Sequence, residues 1–251
     1  MIFAAGLGTR LKPLTDTMPK ALVPLAGKPL LQWQVEKLRD AGIKDIVVNV
    51  HHFPDQIIET IQANKGWGCN ISISDERECL LDTGGGLRKA LHLTPYTLPL
   101  EPILACNVDI LSNIDLCAFI ASYDPKTLGT LVVSERQTQR YLLFDNDLTL
   151  RGWTNIKTGE VKPANISANF GELRQLAFSG MQILNPAIFD KMDAVVAQKG
   201  DKFSLIDLYL SLCEKEVFKA YIPRDYKMMD VGKIEQLNDA ECFAEQIKCS
   251  N

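Results

Sequence analysis

Histidine is scarce in this chain: three residues in 251, two of them adjacent as His51-His52. That leaves a zinc centre poorly supported, because such centres draw on clustered histidine and cysteine. Seven cysteines occur, but no two have C-x-x-C spacing. Their odd number fits no disulfide framework, so reduced thiols and a cytoplasmic location are expected. No apolar run approaches the roughly 20 residues of a membrane helix. The first, Ile2–Ala5, is too short even for a signal-peptide core and follows no basic stretch. Basic charge is not in surplus either: 27 Lys and Arg against 31 Asp and Glu give a net charge of −4. Nucleic acid and anionic membrane are therefore not expected partners.

Two phosphate-binding patterns are also missing. A dinucleotide fingerprint needs a third glycine where Leu11 stands, and a helix opening inside the loop, which Pro13 and Pro19 oppose. No acidic residue ends the second strand, where Asn49-Val50 stand. A P-loop needs Gly-Lys followed by Ser or Thr, but Lys28 is followed by Pro29 and Lys233 by Ile234.

What is present lies at the start. Ile2–Ala5 read as a short buried strand, and Gly6 and Gly8 then open a loop that a polyphosphate can approach, since neither carries a Cβ. Arg10 and Lys20 add two cations, one able to fork two oxygens and the other a point charge. Such a combination suits a nucleoside triphosphate. The full string Gly6-x-Gly8-Thr9-Arg10-Leu11-x-Pro13-Leu14-Thr15-x-x-x-Pro19-Lys20-x-Leu22-x-Pro24-x-x-Gly27-Lys28-Pro29 resembles the signature of the sugar-1-phosphate nucleotidyltransferases. Members join an NTP to a sugar 1-phosphate, giving an NDP-sugar and pyrophosphate. The resemblance covers nearly the whole chain. Members usually carry a few more residues before the first strand, so the natural start is expected slightly upstream or the chain is trimmed.

Periodicity supplies the framework. Apolar residues at helical spacing in 30–38, a stop at Gly42, and the β-rich run 43–50 begin an alternation of helix and strand. It continues through a helix near 55–63, a strand at 70–74, a helix opened by Thr83 and a strand at 102–106. The expected fold is a three-layer, Rossmann-like α/β/α domain with a mostly parallel, mixed sheet, which the resemblance makes a nucleotide-diphospho-sugar transferase fold. From about 127 a β-meander follows, then polar residues 152–175 read as a loop or lid, a strand at 177–184, helices capped by Asn185 and Ser204, a strand at 217–222 and an amphipathic terminal helix. One domain of 251 residues is expected, with a nucleotide-binding half to about residue 110, a sugar-phosphate half after it, and no C-terminal β-helix domain. The terminal helix can cover its own domain or a second copy, so a homo-oligomer is compatible with the sequence.

Asn107-Val108-Asp109 stands where an apolar strand runs out, a place where ligands gather in open α/β sheets. Read alone, it is sooner a polar strand-to-loop turn than a metal site. The resemblance implies magnesium on Asp109 and on Asp230 of Met229-Asp230-Val231-Gly232. It also implies a nucleotide lined by Ala5, Gly6, Gly8, Thr9, Arg10, Lys20, Glu76 (or Glu78), Gly84, Gly85 and Asn107. Gly84 and Gly85 belong to Asp82-Thr83-Gly84-Gly85-Gly86, whose other reading is close packing between elements. Asn169, Ser179 and Gly180 are implied to border the sugar, with Arg10, Lys20 and Asp109 catalytic. His51-His52 is read as a turn without a catalytic role. The closest likeness is to short bacterial uridylyl- and guanylyltransferases, with UTP favoured and GTP next. A phosphocholine cytidylyltransferase and a non-catalytic nucleotide-binding regulator share the fold and remain alternatives.

Overall fold

The computed structural model describes residues 1–91, 93, 101–163 and 171–250. Its first strand, β1 (Ile2–Phe3), explains the layering. Successive strand residues face opposite sides; Ile2 enters one apolar core and Phe3 the other. After the glycine loop come a small hairpin, β2 (Pro24–Leu25) and β3 (Lys28–Pro29), then α1 (Leu30–Asp40), β4 (Asp45–Val50), α2 (Pro54–Ala63) and β5 (Asn70–Asp75). Helix α3 (Asp82–Leu91), β6 (Ile103–Asn107), β7 (Ile110–Ser112) and α4 (Leu116–Ala121) complete the first half. Strand β1 lies between β4 and β6, parallel to both, and β5 extends the sheet beyond β4. Strands β1, β4 and β6 are largely apolar on both faces, as a covered parallel sheet requires, whereas the edge strand β5 alternates Ile71 and Ile73 with Asn70, Ser72 and Ser74.

The second half turns antiparallel. It comprises β8 (Gly129–Ser134), β9 (Arg140–Phe144), β10 (Leu150–Asn155), β11 (Glu160–Lys162), β12 (Arg174–Leu184), α5 (Phe189–Lys199), α6 (Leu205–Leu212), β13 (Phe218–Tyr221), β14 (Met228–Asp230) and α7 (Leu237–Ser250). The long β12 pairs antiparallel with β6, β8 and β9, joining the halves into one ten-stranded mixed sheet. Residues expected as one irregular stretch over 152–175 instead contain the β10–β11 hairpin, turned by Lys157-Thr158-Gly159 with Gly159 at φ +71°. Asn169 lies outside the described residues.

Local signals act as the sequence suggests. Gly42 ends α1's turn at φ +88°, and Ser204 and Asn185 accept backbone N–H bonds as caps. Thr83 is the exception: it sits inside α3, and its hydroxyl accepts the N–H of Leu205, 122 residues away. Helix α7 packs on its own domain through fully buried Ala240 and Ala244. Among the described residues no helix is long and apolar enough to cross a membrane.

Candidate active site

The carboxyl ends of three parallel strands meet in register, with Phe3 opposite Asn49 on one side and Asn107 on the other. Above them the chain from Ala5 to Arg10 forms one wall of a cleft of about 530 Å³, shared with Lys20, Asn107 and Asp109. Ala5 is buried at the loop's root, whereas Gly6, Thr9 and Arg10 are exposed. A Cβ on Gly6 would meet nothing within 4 Å. Gly8 is different. It has φ +63°, and a Cβ there would lie 2.8 Å from Thr15 Cγ2 and 3.0 Å from Lys20 Cβ. The Thr15 hydroxyl donates to its carbonyl at 2.8 Å. Gly8 thus lets the loop fold onto the residues that bring Lys20 beneath it.

Lys20 is buried and forms a hydrogen-bonded ion pair with Asp109. Arg10 stands 3.7 Å from Asp230. The two acidic residues, far apart in sequence, are joined by a two-stranded ribbon. Strands β7 and β14 pair antiparallel with Ile110 opposite Asp230, and the Val231 N–H donates to the Asp109 carbonyl at 2.8 Å. Gly232 leaves room beside them: a Cβ there would fall 2.6 Å from Asp230 Oδ1 and 2.8 Å from Arg10 Nη2, so both side chains would have to move. In the sequence Gly232 stands out only as part of the Met229-Asp230-Val231-Gly232 segment, without a role of its own.

Asp230 is held uncomfortably. Burial, then the charge of Asp109, raises its pKa above the ordinary carboxylate value, against the opposing charges of Lys20, Arg10 and Arg136. Its Oδ1 is buried and has no hydrogen-bond partner among the described residues. A buried carboxylate oxygen without a donor calls for a cation or an ordered water. Two hard oxygen donors fit magnesium, which takes few protein ligands and fills its octahedron with phosphate and water. Among the described residues no group of three His, Cys, Asp or Glu could form a complete protein cage.

Gly180 stands against Asn107, which lines the cleft. Strand β12 loses register against β8 between Phe178 and Gln182, and Gly180 takes φ +69° within that irregularity. A Cβ there would sit 2.9 Å from Asn107 Nδ2. Bulges of this kind re-aim a strand beside a site, and here Ser179 and Gly180 are brought against the end of β6.

A family model described as Nucleotidyl transferase matches residues 1–247. The chain belongs to the nucleotidyl transferase family. It is 36% identical to the N-acetylmuramate alpha-1-phosphate uridylyltransferase of Neisseria meningitidis over 77% of the chain and 78% of that protein. Identity is 34% to the protein of the same name from Caulobacter vibrioides, over 75% of each. A mannose-1-phosphate guanyltransferase of Yarrowia lipolytica is 30% identical over 97% of the chain, which spans 63% of it. Among solved structures, HddC from Yersinia pseudotuberculosis complexed with GMP-PN superposes with TM-score 0.72 at 25% identity, covering 97% of each chain. These are nucleotidyltransferases of the same α/β nucleotide-sugar transferase fold, so this nucleotidyl transferase is an enzyme of that kind.

In this nucleotidyl transferase Leu80, Asp82 and Thr83 line the cleft, while the glycines that follow them and Glu76 are held by protein contacts. The N–H groups of Gly84 and Gly85 both donate to the Phe203 carbonyl, at 2.9 and 3.2 Å. A Cβ on Gly84 would lie 2.4 Å from the Phe203 ring, and one on Gly85 2.0 Å from the Asp201 carbonyl oxygen. These glycines serve close packing against 201–203, and their donors are already used. Glu76 is buried at 1% exposure and does not face the cleft. Its carboxylate accepts from Asn49 Nδ2 at 2.8 Å and from the Leu81 N–H at 3.0 Å, while Asn49 Oδ1 accepts from the Ala4 N–H at 2.7 Å. The sequence reading missed Asn49 as the link between the two loops. His51 and His52 donate to the carbonyls of Glu76 and Thr15, the structural role expected of them.

Proposed function

We propose that this enzyme transfers a nucleotidyl group from an NTP to a sugar 1-phosphate, with UTP preferred and GTP second, in a magnesium-dependent reaction in the cytoplasm. The observation that carries the reading is the convergence of Arg10, Lys20, Asp109 and Asp230 beside an open glycine loop. The uridylyltransferase relatives support UTP. An acceptor phosphate oxygen attacks the α-phosphorus in line, the new P–O bond forms, and the bond to the β-phosphate oxygen breaks to release pyrophosphate. The nucleophile is already anionic, so no general base is needed and the work is positioning and charge neutralisation.

Ala5, Gly6, Gly8 and Thr9 would approach the phosphates, Arg10 would hold the leaving pyrophosphate, Lys20 the α-phosphate, and Asn107 the nucleotide at the end of β6. Asp109 and Asp230 would hold magnesium, which supplies charge neutralisation between the two phosphates when bound. Residues to about 110 would form the nucleotide half of a single domain, and those from about 111 the sugar-phosphate half, with Ser179 and Gly180 at the acceptor.

Pyrophosphate release, followed with UTP, GTP, CTP, dTTP and ATP against N-acetylmuramate 1-phosphate, mannose 1-phosphate, other sugar 1-phosphates and phosphocholine, tests the reading. Turnover with UTP and one sugar 1-phosphate, lost in Asp109→Asn, is expected. NTP binding without turnover of any acceptor would contradict it.

A further inference from the structure

Among the described residues the charged groups that line the cleft are Arg10, Lys20, Asp82, Asp109 and Lys202. Lys20 and Asp109 pair with each other, and Arg10 stands near Asp230. Asp82 and Lys202 have no place in the mechanism above. Both are exposed, and among the described residues neither has an ion-pair partner within 4 Å. They come from opposite halves of the chain, yet the fold sets them side by side. Residues 201–205 run along 81–85. The Phe203 N–H donates to the Leu81 carbonyl at 3.2 Å, the Gly84 N–H to the Phe203 carbonyl at 2.9 Å, and the Leu205 N–H to the Thr83 hydroxyl at 2.9 Å. The backbone around Lys202 is thereby fixed against the start of α3, and Lys202 joins Leu80, Asp82 and Thr83 in lining the cleft.

This group carries one charge of each sign, so it exerts little net pull on a triphosphate, which Arg10 and Lys20 attract instead. It suits a neutral planar group that offers a donor beside an acceptor. An ionised Asp only accepts hydrogen bonds, and a Lys only donates them. Uracil and thymine present a ring N–H beside a carbonyl, as guanine does with N1–H and O6. Cytosine and adenine present a bare ring nitrogen beside an amino group, which reverses both requirements. We propose that Asp82 and Lys202 select the base of the NTP, Asp82 accepting the ring N–H and Lys202 donating to the carbonyl beside it. Uracil, thymine and guanine are then taken, and cytosine and adenine are refused because each would leave a charged group facing its own kind of partner. The inference deepens the reading of the reaction given above and rests on it.

Calorimetric binding of the magnesium complexes of UTP, GTP, CTP, ATP and tripolyphosphate to the full-length protein tests it without an acceptor. Asp82→Asn keeps an oxygen for the Thr83 N–H, which the Asp82 carboxylate accepts at 2.6 Å, and tolerates the φ of +61° at this position. Lys202→Met keeps the apolar stem and removes the donor. The wild type should bind UTP and GTP about 10- to 100-fold more tightly than CTP and ATP, the scale of one charged hydrogen bond. Lys202→Met should weaken UTP and GTP by about that factor and leave tripolyphosphate within about twofold. Asp82→Asn should narrow the gap between UTP and CTP. No preference in the wild type, an unchanged preference in either variant, or an equal loss for every NTP and for tripolyphosphate would overturn the proposal. Failure of the transfer reaction is read separately, from pyrophosphate release: no turnover with the base preference intact refutes the reaction and leaves the base site standing.

Discussion

The two glycine runs of this enzyme use the same residue for opposite ends. Around Gly6 the space a Cβ would occupy is empty and faces a cleft. Around Gly84 and Gly85 that space is filled by Phe203 and Asp201, and the freed N–H groups are bonded to protein. At Gly6 the first run is open, with the acidic pair nearby, although Gly8 packs on Thr15 and Lys20; at Gly84 and Gly85 the second is closed and its N–H groups are bonded. Glycine alone therefore does not mark a ligand. What stands where its side chain would be decides the matter.

The comparison can be broken at either end. Its largest test is Lys20→Ala, expected to lower kcat about 10²–10³-fold, the usual loss for one preorganised charge donor, in a pyrophosphate-release assay. A small change would show that the open loop is not where charge is neutralised. Next is Gly85→Ala. With a backbone carbonyl 2.0 Å from the new methyl, the segment 201–203 must shift, at a cost of about 3 kcal/mol. Calorimetry should then show a Tm lower by roughly 6–12 °C for a chain of this size. A Tm near wild type would mean that the second run is as free as the first.

Asp230→Asn sharpens the contrast by removing the charge that the open site holds at a penalty. Activity should vanish, while in chelator at pH 7 the Tm should rise slightly. The side chain is nearly half exposed, so screening keeps the gain below about 1 kcal/mol. The sign follows from linkage: a raised folded-state pKa destabilises above that pKa and fades as pH falls towards the unfolded value. The Tm advantage of Asp230→Asn should therefore shrink as pH falls from 7 towards 4. An advantage independent of pH would assign the effect to packing. The smallest effect is expected of Gly6→Ala, whose Tm should stay within about 2 °C while the NTP KM rises. A large Tm loss there would erase the distinction between the runs.

Much of this was readable in the residues. Periodicity located the parallel half, because strands buried on both faces and helices with one apolar side leave unlike patterns. Gly42, Asn185 and Ser204 marked element ends through local chemistry that needs no distant partner. The cation pair and Asp109 were readable because charge and glycine stand together at a strand end. What the sequence left open depended on contacts that local patterns do not record. Thr83 looked like a cap but serves Leu205, and Gly84 looked like a ligand loop but serves Phe203. Glu76 was implied at the nucleotide by the family resemblance alone; its carboxylate is held by Asn49 of β4 and by the nearby Leu81 N–H. The β10–β11 hairpin was hidden because strands of three to six residues interrupted by a polar turn carry little periodic signal.

The ribbon of β7 and β14 has a consequence for the chain during its synthesis. A nascent polypeptide emerges from its N-terminus and has its glycine loop, Arg10, Lys20 and Asp109 long before Met228–Asp230 leave the ribosome. Until then the second carboxylate is missing and the Asp109 carbonyl lacks the Val231 N–H. The growing chain can hold a loop shaped for phosphate, but it acquires the acidic pair only when β14 arrives and zips beside β7. The acidic pair is thereby the last part of this charged cluster to form.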